Sequence, residues 1–111
     1  MKKIILSVIL LIIGVTTQAQ KVYIVDSEWN ADVKVFVVDY EYQADLLVFK
    51  EPYDFRAKGN VGIWNFVNNE YRAEKKIYFV DNEYQADLKI YFVSYSFRVK
   101  WRNVSKKHLM Y

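Results

Sequence analysis

Cysteine is absent from the chain, proline and histidine occur once each, and glycine occurs three times. Without cysteine there is no disulfide framework, no thiolate metal site, no thiol nucleophile and no lipid attachment through a cysteine. The single histidine, His108, lies in a lysine-rich tail, and no serine is spaced to form a nucleophile–base pair with it. Scarce glycine excludes a glycine-rich phosphate loop and the Asn-Gly or Asp-Gly hairpin turn. A large charge of either sign is also missing: the formal net charge is +3, and it falls to +1 without Lys2 and Lys3. Charge therefore gives no support to a nucleic-acid partner. On these grounds no catalytic residue, cofactor site or metal site is assigned, and the chain reads as a non-enzyme.

Long apolar runs are lacking with one exception. After the basic Met1-Lys2-Lys3, the run "IILSVILLIIGV" (4–15) leads into "TTQAQ", with Thr17 and Ala19 as the small residues a signal peptidase accepts. The run falls short of the roughly 20 apolar residues of a membrane span. The expectation is a signal peptide over 1–19, cleaved after Ala19, and an exported domain over 20–111 with no further membrane span.

What the chain has in abundance is repetition and aromatic side chains. All 10 Tyr, 7 Phe and 3 Trp follow the leader. They fall in six copies of one unit: "KVYIVDSEWNADV" (21–33), "KVFVVDYEYQADL" (34–46), "LVFKEPYDFRAKG" (47–59), "IWNFVNNEYRAEK" (63–75), "KIYFVDNEYQADL" (76–88) and "KIYFVSYSFRVKW" (89–101). The period is 13, broken only by "NVG" (60–62) beside Gly59 and Gly62. Three units, a glycine turn and three more units are expected to form one compact all-β domain.

Alternation decides the local structure. Ala31, Val33, Val35 and Val37 share one strand face, as do Ala86, Leu88, Ile90 and Phe92, Ile77 and Phe79, and Trp64 and Phe66. The other face carries Asp/Lys pairs such as Asp32 with Lys34, followed by the column Tyr23, Phe36, Phe49, Tyr78 and Tyr91. Strands of about six to eight residues are predicted, joined by Asp-x-Glu-Tyr-x-Ala turns in which the leading Asp caps the turn. A second column, Trp29, Tyr42, Phe55, Tyr71, Tyr84 and Phe97, occupies a fixed place in the turns. In so small a domain these rings are expected to fold back and supply core.

The repeated units, the central "KGNVGIW" (58–64) and the terminal "WRNVSKKHLMY" (101–111) resemble a bacterial family of short secreted proteins of unknown function, described as the septoil-knot domain. The resemblance implies a β-rich backbone threaded into a seven-crossing knot and implies no activity. Units three and six depart from the pattern, at Glu51-Pro52 and Asp54, and at Ser94, Ser96 and Val99.

Two binding chemistries compete with a purely structural role. The carboxylates Asp26, Glu28 and Asp32, Asp39, Glu41 and Asp45, and Asp81, Glu83 and Asp87 have the density of a calcium repeat, but without the calcium-loop spacing and its glycine. Turn-capping and strand-face pairing account for the same residues. Exposed rings could instead stack on sugars, with Trp29, Tyr42 and Tyr84 as the candidate ligand-contact aromatics. The expected function is that of an exported, monomeric, stable structural or binding module of the cell envelope. Its expected partner there is a protein or a glycan. Envelope glycan binding and calcium binding are the alternatives.

Overall fold

The computed structural model describes residues 20–111, and the expected leader with its cleavage after Ala19 lies outside them. Each unit forms one strand and one 3₁₀ turn: β1 (Lys21–Ile24), η1 (Glu28–Asn30), β2 (Val33–Val37), η2 (Glu41–Gln43), β3 (Leu46–Lys50), η3 (Asp54–Arg56), β4 (Ile63–Phe66), η4 (Glu70–Arg72), β5 (Lys75–Phe79), η5 (Glu83–Gln85), β6 (Leu88–Phe92) and η6 (Ser96–Arg98). A short β7 (Lys100–Trp101) and a C-terminal 3₁₀ helix η7 (Val104–Met110) follow. The strands are shorter than predicted, at four or five residues in β1 to β6, because each unit spends its remaining residues on the turn.

The order β4-β1-β5-β2-β6-β3, with β3 pairing back to β4, closes a six-stranded barrel in which every neighbour is parallel. The two halves of the chain interleave, so each strand of one half lies between strands of the other. Parallel neighbours normally need a crossover of about a dozen residues, since the chain must return to its starting level. Here it does not return. Ile24, which ends β1, and Val33, which begins β2, both lie opposite Ile77 of β5. Val37 and Leu46 likewise share Ile90, and Phe79 and Leu88 share Val35. The chain steps sideways over one strand and continues forward at the same level. Followed once round the barrel, the register returns to β4 displaced by about twelve residues, which tilts the strands steeply.

The predicted inner faces are inside except at the strand ends, where Val37 is exposed and Phe66, Phe79 and Phe92 are half-buried. Val22, Val33, Val35, Leu46, Val48, Trp64, Ile77, Leu88 and Ile90 fill the barrel and are fully buried. The outer column of Phe36, Phe49 and Tyr91 is half-buried beneath the turns, packed with Val38, Ala44, Leu47 and Val93 in a second, outer layer. Over β2, β6 and β3 both faces of the parallel sheet are thus covered, as parallel sheets require, with 3₁₀ turns serving where helices usually do.

The Asp that follows the turn in units one, two and five, expected to pair with lysine on the strand face, acts between strands, and among the described residues no side-chain bond from the leading Asp26, Asp39 or Asp81 caps a turn as predicted. Oδ2 of Asp32, Asp45 and Asp87 accepts the backbone N–H of Lys76, Lys89 and Lys34, at 2.9, 2.8 and 2.9 Å. The backbone N–H of each Asp donates to the carbonyl of that same lysine, at 2.7 to 2.8 Å. Glu74 makes the backbone half of this clamp with Lys21. Units three and six carry Lys58 and Lys100 at this position, and there the chain pairs antiparallel, Lys58 with Ile63 and Lys100 with Leu47. Where turns are capped, the acceptors are Ser27 Oγ for Trp29 N–H and Asn69 Oδ1 for Tyr71 N–H, in place of the expected Asp.

The tail closes the end of the barrel where the strands begin. The carbonyl of Asp45 accepts N–H bonds from Arg102 and Asn103, and its carboxylate meets Asn103 Nδ2 at 3.2 Å and Lys106 Nζ at 3.3 Å. Asn60 in the central loop holds both Trp101 Nε1 and the Lys107 carbonyl. Beyond these anchors, Met110 is buried in the barrel core.

Candidate functional site

The second aromatic column overturns its expectation of burial. Trp29, Tyr42, Phe55, Tyr71, Tyr84 and Phe97 are 71 to 91% exposed. Three residues per turn explain it: the ring is the middle residue of its 3₁₀ turn, at the apex furthest from the barrel. The residue that tucks under is the small one after the turn, Ala44 or Ala57 in units two and three. A belt of six rings therefore stands off the outside of the barrel, and none of the six serves as core.

The belt is not uniform. After β2, β6 and β3, which are neighbours in the barrel, each turn carries a second ring two residues earlier. Tyr40 stacks on Tyr42 with centroids 5.8 Å apart, Tyr95 on Phe97 at 5.4 Å, and Tyr53 packs at a tilt against Phe55 at 5.7 Å. Charged partners stitch adjacent turns together. Arg98 of η6 pairs with Glu41 of η2, and Arg72 of η4 pairs with Asp54 of η3 at 2.8 Å. Arg56 lies over the Tyr53 and Phe55 rings, about 5 Å from each.

Open grooves run beside the rings. One of about 520 Å³ is lined by Tyr53, Phe55, Asp54, Asn68 and Arg72, with Phe66 and Pro52 at its edge. A second, of about 420 Å³, sets Trp29 among Asp26, Glu28, Asp81 and Gln85. A third, of about 450 Å³, sets Tyr84 beside Glu83, Lys89 and Lys106, with Lys89 Nζ at 3.3 Å from Glu83. Of the three candidate aromatics, Trp29 and Tyr84 thus each line a polar groove, and Tyr42 presents the outer half of a stacked pair. The Tyr53/Phe55 groove was not among the sequence candidates. Its signal was present as the Tyr-x-Phe doublet of unit three, which strand alternation alone would equally produce.

Five of the nine carboxylates considered for calcium have other tasks. Asp32, Asp45 and Asp87 clamp strands, and Glu41 and Glu83 pair with cations. Among the described residues no group of three or more His, Cys, Asp or Glu is arranged to hold a metal ion. No helix of the described residues is long and apolar enough to cross a membrane.

Two interleaved passes round one axis, with the turns of each pass wrapping outside the strands of the other, make a path of the torus-knot kind. A family model described as the 7(1) septoil knot domain matches residues 19–102. The chain belongs to the septoil knot domain family. No curated protein and no solved structure matches it. The septoil knot match spans all six units and β7, and it ends at the residue where the tail begins to plug the barrel.

Proposed function

We propose that this septoil knot domain is an exported, non-catalytic, monomeric module of the cell envelope that binds glycan strands through its belt of turn aromatics. The observation that carries the reading is the exposure of all six turn rings, three of which (Trp29, Phe55 and Tyr84) line grooves that also hold carboxylate, amide or cationic groups. A sugar offers an apolar C–H face for a ring and a rim of hydroxyls that both donate and accept hydrogen bonds. Rings beside Asp, Asn, Gln and Arg answer both demands. An adhesive protein–protein patch would instead join its rings into one continuous apolar area. Repetition also suits a polymeric ligand, because similar sites round one rigid barrel gain by avidity on a repeating strand. Export is supported by the signal-like 1–19.

Sedimentation with purified peptidoglycan sacculi and with chitin tests the reading. The protein is expected to pellet with at least one of them. Each ring contributes on the order of 1 kcal/mol, so a Trp29→Ser, Phe55→Ser, Tyr84→Ser triple variant is expected to lose most of that binding while its melting temperature stays close to the parent's. Equal pelleting of the triple variant, or no pelleting of either protein, contradicts the proposal.

A further inference from the structure

The two ends of the barrel differ. Where the strands begin, the tail and Met110 fill the opening. Where they end, the last residue of each of the six barrel strands, Ile24, Val37, Lys50, Phe66, Phe79 and Phe92, lines a cup of about 280 Å³. Its floor is the fully buried layer two residues earlier along each strand, which includes Val35, Trp64 and Ile90. Five of the six wall positions are apolar, as the repeat dictates. Unit three breaks the rule with a lysine, in the same stretch as Glu51 and Pro52. Lys50 Nζ lies 4.4 Å from the centroid of the Phe92 ring and 5.9 Å from that of Phe66, and among the described residues it has no carboxylate within salt-bridge distance. The surroundings are polarised in the same sense. Two residues past the strand ends, β1, β2 and β5 are followed by Asp26, Asp39 and Asp81, and β3, β4 and β6 by Pro52, Asn68 and Ser94. The acids therefore follow three adjacent strands, and Lys50 stands among the other three.

An apolar cup at a barrel mouth, with one cation held by aromatic faces and no counter-ion, is built to take an apolar body with a single negative end. We infer that the open mouth binds a small apolar monocarboxylate, its hydrocarbon body against Phe66, Phe79 and Phe92 and its carboxylate on the Lys50 ammonium. The volume lies at the small end of ligand pockets, about 300 Å³ and upward, so a short acyl or aryl acid fits and a full lipid does not. This site is separate from the turn belt and does not depend on it.

Titration of the protein with sodium octanoate, followed by NMR, reads the site. Saturable shifts are expected at Phe66, Phe79, Phe92 and the Lys50 ε-methylene. Lys50 stands exposed at the rim, so Lys50→Met should weaken octanoate by about threefold to fivefold. Lys50→Arg should keep most of the affinity, and 1-octanol should bind the parent and Lys50→Met alike. Absence of saturable shifts at the mouth overturns the inference, and so does an octanoate affinity that Lys50→Met leaves unchanged.

Discussion

Tyr42 and Ala44 stand two residues apart in one turn and have opposite fates, the ring exposed and the methyl buried. Substitution should reverse the usual ranking of large and small residues. Tyr42→Ser is expected to change unfolding free energy by less than about 0.5 kcal/mol, as surface changes do, whereas Ala44→Leu overpacks the outer layer and should cost about 1–3 kcal/mol. Urea unfolding of the two variants decides the matter. Gly62 is the other residue whose identity is dictated by position. Its φ is +103°, and a Cβ there would lie 2.6 Å from the Leu47 carbonyl oxygen. Gly62→Ala combines a left-handed backbone with a backbone clash, so a loss above about 1 kcal/mol is expected in the same assay. The mid-chain glycine turn was legible in the sequence. The outward rings were not, because hydropathy marks a ring as core material and only the three-residue pitch of the turn decides that it points away.

At the scale of the element, the Asp clamp sets the register. A side-chain acceptor for a backbone N–H near the start of a neighbouring strand works where the ladder between the two strands has not yet begun, and Asp fills that place in three of the six units. Asp32→Ala and Asp87→Ala each remove one such acceptor at an exposed site, and each should cost about 1 kcal/mol. Asp45 is 5% exposed and also holds Asn103 and Lys106, so Asp45→Ala should cost about 3 kcal/mol and loosen the tail. Thermal or urea melts read the costs, and amide exchange at Arg102 and Asn103 reads the loosening. The alternation that identified Val33, Val35, Leu88 and Ile90 as inward held, because period two is the same in any strand. For that very reason it carried no information on parallel pairing. Strand lengths were overestimated because Asp32 and Ala31 continue the alternation while belonging to the clamp and the turn.

For the whole molecule, interleaving makes nearly every strand contact long-range, since β1 must find β4 and β5 before it has a partner. Such topologies fold slowly, because loop closure is completed before the contacts reward it. Met110 lies at the end of the path and at the bottom of the barrel. Met110→Ala is expected to cost about 2–5 kcal/mol by leaving a cavity in the core, measured by urea unfolding. The period of 13, the three-plus-three arrangement and the family resemblance were visible in the repeats. The division of labour between the two aromatic columns was not, because each unit offers two rings and only the closed barrel determines which one the turns cover. The result is a buried core with the most exposed rings on the three-residue turns.

The central claim is that those exposed turn rings meet sugar. Titration of the ¹³C-labelled protein with soluble peptidoglycan fragments and with chitohexaose, following the aromatic signals, tests it most directly. The account predicts saturable shifts at Trp29, Tyr42, Phe55, Tyr71, Tyr84 or Phe97, with the buried Trp64 unmoved. Signals that stay still throughout both titrations, or that shift only at residues outside the belt, would contradict it.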